Sequence, residues 1–352
     1  MKRVLLPERA NWQQAHQEIG FDYYNLPSRD GSMYWSEGVA YEFSLKQIEQ
    51  LEDASNELHQ MCLEVAGDMI QRGHYPEYFQ IPPAAIPLIE HSWKNQAPML
   101  YGRFDFAYDG QAIKMLEYNA DTPTGLLEAS VAQWHWIEQV ENIANRDQFN
   151  SIHEKLIERW KQLYPARSRV HFAACQEAGR EDWGNLEYLM DTAFQAGLNV
   201  SELSMENIGW NGTAFVDLHQ QEIQHLFKLY PWEWIWEENF SQFLKPETEW
   251  IEPCWKMLLS NKALLIELWK RFPNHPLLLE THAYDAHAHY AGKWVRKPIL
   301  AREGANIHIL QNNVDCGAAS GSFYFDDYDK YGYVMQRWVK TPLHEGMLPT
   351  LG

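Results

Sequence analysis

Basic residues are scarce in this chain. Its 352 residues include 29 Lys and Arg against 48 Asp and Glu, giving a formal charge of −19. A field of that sign repels nucleic acid and anionic membrane surfaces. It favours a cationic partner such as a polyamine only mildly, because net charge chiefly sets solubility. Cysteine is scarce too: Cys62, Cys175, Cys254 and Cys316 stand far apart, with no C-x-x-C pair. A disulfide framework or structural zinc is therefore not expected, and a reducing cytoplasm fits best. No apolar run approaches the ~20 residues of a membrane span, and Met1-Lys2-Arg3-Val4-Leu5-Leu6-Pro7 lacks the apolar stretch of a signal peptide. Internal repeats and low-complexity tracts are missing. So are the P-loop pattern G-x-x-x-x-G-K-[ST] and the dinucleotide pattern G-x-G-x-x-G.

What is present in excess is aromatic: 14% of residues, with 16 Trp. The length suits two or three sub-domains. Turn signals cluster around Pro27 to Gly31. Apolar spacing predicts a long helix from Ser44, as N-cap, to Gly73, just past its end. A proline-rich connector follows over Pro76 to Pro87, a helix over 122–145, and another near Pro253–Phe272. The segment Arg169–Met205 reads as one β-α-β unit: Val170 to Ala174, then a helix over Asn185 to Ala196 closed by Gly197, then Leu198 to Leu203. Such a unit implies a parallel sheet. The stretch Trp294–Val339 alternates short strands with Gly-containing loops.

Chemistry concentrates in two places. The first is Arg103-Phe104-Asp105-Phe106, followed by Asp109-Gly110 and then Met115-Leu116-Glu117-Tyr118-Asn119. Asp-Gly between alternating runs marks a hairpin. Arg103 and Asp105 share one strand face, as do Glu117 and Asn119. An odd-numbered loop, for instance one bulged at Gly110, brings both pairs to the same side; a two-residue loop separates them. Together they form an oxygen-only set suited to Mg²⁺. The alternative is an edge hairpin with a solvated polar face. The second place is basic: Lys262 within an apolar run, and Lys297 on a strand before Arg302-Glu303-Gly304. A lysine in apolar surroundings needs an anionic partner, and a glycine loop lays N–H groups on phosphate; the alternative is surface lysines with snorkelling stems.

The ordered blocks Arg103-Phe-Asp-Phe, Glu117-Tyr-Asn-Ala-Asp121, Ser260-Asn-Lys262 and Lys297-Pro-x-x-x-Arg302-x-Gly304 resemble the synthetase domain of the glutathionylspermidine synthase family, which includes trypanothione synthetase. The likeness runs from about residue 100 to 340 and does not include the amidase domain fused to some members. It implies an α+β, circularly permuted ATP-grasp fold with a Rossmann-like pre-ATP-grasp β-α-β subdomain. The implied division is an N-terminal segment over 1–100, a metal-binding part over 101–160, the α/β subdomain over 161–230 and the nucleotide-binding and lid part over 231–352. It further implies Asp105, Glu117 and Asn119 as magnesium ligands and Arg103 as the residue that stabilises the reaction intermediate and, with Asp105, faces the nucleotide. Lys262, Lys297 and Gly304 match contacts to the ATP phosphates. Gln336, in Val334-Met335-Gln336-Arg337-Trp338, matches the adenine hinge, with Trp338 beside it. Thr122, Thr124 and Arg302 stand at substrate positions, the two threonines where relatives carry serines. Trp234 stands where a small hydroxyl residue is common, and the chain reaches Leu351-Gly352 without the Gly- and Arg-containing closing segment.

The expected activity is thus ATP- and Mg²⁺-dependent joining of an acid to an amine through an acyl phosphate, the acid a γ-glutamyl peptide such as glutathione and the amine a polyamine. Two rivals stand beside it: a non-catalytic nucleotide-binding relative, and a carbohydrate-acting protein suggested by the tryptophans. His282, His287 and His289 match no metal-binding spacing and read as a solvated segment. Glu181-Asp182 reads as an acidic pair at a helix N-terminus, and Trp232 to Trp236 as core packing.

Overall fold

The computed structural model describes residues 1–26, 33–141, 143, 146–302, 304–319 and 326–340. The turn signals at Pro27 to Gly31, Glu303 and the terminal Leu351-Gly352 lie outside the described residues.

The long helix forms where its caps predict. Ser44 accepts from the Gln47 N–H while Gln47 reaches back to the Ser44 N–H, and the helix Leu45–Arg72 closes at Gly73, whose φ of 59° suits a residue without Cβ. Its apolar stripe, including Leu58, Cys62, Val65 and Ala66, is buried in the larger of two main cores. The connector is more ordered than expected: its prolines sit at helix starts, giving short turns at Glu77–Phe79 and Pro83–Ala85 and then the helix Ile86–Lys94.

The β-α-β unit is present as a strand Arg169–Ala174, a helix Arg180–Gln195 and a strand Asn199–Ser204. These belong to a four-stranded parallel sheet in the order Glu249–Ile251, His225–Leu229, Arg169–Ala174, Asn199–Ser204. The sheet separates the two cores. Val170, Phe172 and Phe227 face one, and Ala173 and Leu226 face the other, as strand alternation requires. The first core-side layer also takes up the N-terminal aromatics. Phe21, Tyr23 and Tyr24 pack edge to face with one another and with His16 and Trp35. Tyr23 lies so close to the helix Arg180–Gln195 that a Cβ at Gly184 would stand 2.5 Å from its ring.

A five-stranded antiparallel sheet occupies the later part of the chain, ordered Thr281–Ala283, Tyr333–Arg337, Lys293–Pro298, His308–Gln311, Val314–Ala318.

Two predicted helices are shorter than the sequence suggests. The one expected over 122–145 spans 126–139, with a widened π turn at Glu128–Ala132. Asp121 to Thr124 form a loop tied down by polar contacts instead. The one expected near Pro253–Phe272 is split into a 3-10 turn at Cys254–Leu258 and the helix Leu264–Arg271. At the break, Asn261 accepts from the Ala263 N–H and donates to the Phe79 carbonyl, competing with the helical backbone pattern. Among the described residues no helix is long and apolar enough to cross a membrane.

Candidate active site

The hairpin pairs Arg103–Tyr108 with Ile113–Asn119. Its loop has four residues, with Asp109 capping the Gln111 and Ala112 N–H groups. The odd residue lies within the strand: Phe106 faces Met115, but Asp105 faces Glu117, leaving Leu116 as a bulge. Directly opposed residues share a face, so Asp105 with Glu117, and Arg103 with Asn119, project together. Without the bulge, Met115 and Glu117 would point the same way. With it, Met115 is buried in the core and Glu117 enters the site. On the other face Phe104 stacks between Tyr118 and Phe106.

The two sequence-distant basic segments arrive at this hairpin. Lys262, at the helix break, stands 3.2 Å from Glu117 and donates to the Ala301 carbonyl. Lys297, on the central strand of the antiparallel sheet, donates to the bulge carbonyl of Leu116 at 3.1 Å and to Gln336 Oε1 at 2.7 Å. Gln336 in turn donates to the Met115 carbonyl. The bulge is therefore a docking point for the second sheet as well as a register change.

Arg103 pairs with Asp105 at 2.9 Å and donates to the Thr124 carbonyl. The Asn119 amide nitrogen lies 3.4 Å from Asp105 and 3.3 Å from Glu117. Burial opposes charge on Glu117, but Lys262 and Lys297 outweigh it and hold the carboxyl down at about 2. For Asp105 the balance goes the other way: burial and the negative charge of Glu117 raise it, against the pull of Arg103. Burial lowers Lys297 to about 8, with Glu117 supporting its charge and Lys262 opposing it.

A second cluster adjoins the first. Arg302 donates to Thr122 Oγ1 at 2.6 Å, pairs with Glu233 at 3.3 Å and lies over the Trp234 ring. Thr124 donates to Glu181 at 3.0 Å, so Glu181 holds the loop as well as heading its helix. Gly304, with φ of 72°, turns the chain just beyond Arg302. Trp338 stands apart, hydrogen-bonded to Lys293 through the backbone and lying beneath its ammonium. Lys293 precedes Lys297 by four strand residues, roughly 13 Å.

Several organising residues were given no role by sequence reasoning, although Asp121 and Ser260 stand at the ends of two family-like blocks. Ser260 Oγ accepts from the Ala120 and Asp121 N–H groups at 2.8 and 2.7 Å. Buried Asp121 binds Lys228 at 2.5 Å and the Trp232 N–H at 2.9 Å, joining the loop to the parallel sheet. Asn185 Oδ1 accepts from Gly125 and Leu126. The signal for Ser260 and Asp121 was their place in the blocks Ser260-Asn-Lys262 and Glu117-Tyr-Asn-Ala-Asp121; Lys228, inside an apolar strand, was the visible anomaly near Asp121. Of the other motifs, His282 pairs with Glu280 while His287 and His289 are exposed. Among the described residues no group of three His, Cys, Asp or Glu is placed to hold a metal. Trp232 is fully buried and Trp234 partly exposed.

The sequence matches the glutathionylspermidine synthase preATP-grasp family over residues 3–352. The chain belongs to this family. It is 51% identical over 360 residues to a Haemophilus influenzae protein named "Putative acid–amine ligase", with 100% of this chain and 91% of that protein covered. It is 26% identical to trypanothione synthetase of Crithidia fasciculata, covering 89% of this chain and 52% of that one. The bifunctional glutathionylspermidine synthetase/amidase of Escherichia coli is also 26% identical, with 78% and 48% covered. The chain thus spans about half the length of these two family members. In structure it is similar to a glutathione synthetase-like effector from Globodera pallida, with a TM-score of 0.54 and 10% identity over 96% of this chain and 84% of that one. That likeness concerns the fold alone: mixed helix and sheet of the glutathione synthetase kind.

Proposed function

We propose that this glutathionylspermidine synthase-like chain joins a carboxylic acid to an amine through an acyl phosphate, using ATP and Mg²⁺ at the hairpin cluster. Its relatives are named ligases, and it is an ATP-dependent carboxylate–amine ligase. The observation that carries the finer reading is the charge arrangement. Among the described residues Arg103, Lys262 and Lys297 converge on two carboxylates, Asp105 and Glu117, leaving cationic charge for a polyanion such as a triphosphate. The order of the parts supports the circularly permuted ATP-grasp plan: metal-binding hairpin first, a Rossmann-like parallel sheet next, phosphate-binding lysines last.

The donor set fits magnesium. Asp105, Glu117 and Asn119 supply only oxygen and amide groups, and they lie within hydrogen-bonding distance of one another. Turning the Asn119 amide exchanges its nitrogen for oxygen toward the carboxylates. Mg²⁺ held there would neutralise phosphate oxygens as a Lewis acid. Lys262 and Lys297 act on the same phosphates, lowering the repulsion that faces an incoming carboxylate. That carboxylate attacks the γ-phosphorus and ADP leaves. The amine, as free base, then attacks the acyl carbon, loses a proton and expels phosphate, leaving an amide. Arg103 lies between Asp105 and the Thr124 loop, where it offsets charge on the tetrahedral species. Arg302 and Thr122 form the wall facing the acid, with Gly304 turning the loop over the phosphates and Gln336 and Trp338 on the adenine side.

The acid we assign is a γ-glutamyl peptide such as glutathione and the amine a polyamine, in the cytoplasm, where ATP and reduced thiols coexist. The test is ADP release measured with acids and amines added singly and together. Release that requires both is expected; release indifferent to the amine, or none with any pair, counts against the reading.

A further inference from the structure

Two ion pairs lie wholly inside the molecule beside the loop from Asp121 to Thr124, and the ligase chemistry uses neither. Asp121 and Lys228 are 1% and 0% exposed and meet at 2.5 Å. Lys256 and Glu252, with side chains 2% and 0% exposed, also meet at 2.5 Å. Taking two charges out of water yields little net stability, so a buried pair is more telling as a device that imposes one geometry.

That geometry is a closed ring of contacts. The second carboxylate oxygen of Asp121 accepts from the Trp232 N–H at 2.9 Å. The Trp232 indole donates to the Glu252 carbonyl at 3.0 Å, and the Glu252 carboxylate accepts from the Tyr101 N–H at 3.1 Å. The Tyr101 hydroxyl returns to the loop, donating to the Pro123 carbonyl at 2.6 Å. Lys256 braces the ring by donating to Glu252 and to the Tyr101 carbonyl. Thr124 is tied separately, to Glu181 and Arg103.

Arg302 touches both ends of the Asp121–Trp232 contact. On one side it donates to Thr122, the residue after Asp121. On the other it bonds Glu233 and lies over Trp234, the two residues after Trp232. The Asp121–Trp232 contact therefore sets the distance that the guanidinium bridges.

We propose that Asp121, with Lys228, is a positioning residue for acid binding. The buried pair holds two walls, Thr122 and Glu233-Trp234, at the spacing where Arg302 can grip both and present its guanidinium to a carboxylate. The proposal rests on the reading of Arg302 and Thr122 as the wall facing the acid. Position 121 needs a carboxylate because both its oxygens accept at once. An amide there turns an N–H toward either Lys228 or Trp232.

The test is glutathione titrated calorimetrically into the full chain, beside melting curves with Mg-ATP. Asp121→Asn is expected to raise the glutathione Kd roughly tenfold, the worth of one hydrogen bond to a charged group. The rise in melting temperature with Mg-ATP persists. Thr122→Ala by itself releases Arg302 from one wall. Asp121→Asn added to it weakens binding by less than about a further twofold, because the spacing no longer matters. Should Asp121→Asn unfold the chain by leaving Lys228 unpaired, Asp121→Asn with Lys228→Met removes both charges and is measured instead. An unaltered Kd overturns the proposal, as do effects of Asp121 and Thr122 that multiply, or loss of the Mg-ATP rise with Asp121→Asn. Unfolding of both variants also overturns it, since the pair is then purely structural. No saturable glutathione binding by the parent chain overturns the reading of the Arg302 wall itself, and the proposal with it.

Discussion

Lys297 holds its charge where water is scarce. Burial lowers it to about 8, against the support of Glu117. A triphosphate beside it would favour the protonated form, so nucleotide binding near pH 8 draws in a fraction of a proton, and binding near pH 6.5 almost none. Calorimetry in two buffers of different ionisation heat should show that uptake, and Lys297→Met should remove it. The sign for stability is the reverse of an ordinary ion pair. The folded lysine gives up its proton more easily than the unfolded one, so its contribution to stability rises as pH climbs from about 8 toward the ordinary lysine range. Lysines in apolar segments can be seen in sequence; that Lys297 meets Gln336 and the Leu116 carbonyl could not, because those two partners stand 39 and 181 positions away along the chain.

At the scale of the element, the hairpin and the interrupted helix were only partly legible. Asp109-Gly110 announced the hairpin, and the polar pairs do share a face, but the one-residue change of register lies at Leu116 and not in the loop. Local pattern cannot place it, since it is fixed by Met115 entering the core while Lys297 binds the Leu116 carbonyl. The helix predicted near Pro253–Phe272 breaks at Ser260 to Lys262 for a similar reason: these side chains serve distant backbone groups. Ser260→Ala leaves the buried Ala120 and Asp121 N–H groups without their acceptor. At about 1–3 kcal/mol for each orphaned group, partly offset by water, a loss of about 2 kcal/mol in a urea titration is expected. Ser260→Thr, which keeps the hydroxyl, should retain most of the stability and hold KM for the acid near its original value.

Across the molecule, the candidate site is an assembly of three chain regions, and its ligands should act as a clamp on the fold. A ligand that binds only the folded state stabilises it by about 2.7 kcal/mol at a hundredfold excess over Kd. Mg-ATP should therefore raise the melting temperature, and chelation of the metal should reverse most of the rise. Glu117→Gln should do the same, because it removes a donor and the partner of Lys262. Glu181→Gln should leave the rise in place, since Glu181 bonds Thr124 in the neighbouring cluster. A scan of melting curves with nucleotide, metal and chelator distinguishes these outcomes.

The sequence by itself determined the elements whose signals are local: the capped helix from Leu45 to Arg72, the β-α-β unit, the Asp-Gly hairpin, and the residue types from which the ligase reading was drawn. Tertiary structure decided the register at Leu116, the break before Lys262 and the Asp121–Lys228 tie. Caps and periodicities are set by neighbours within a few residues, whereas these features exist only because groups more than a hundred positions apart satisfy one another's hydrogen bonds and charge.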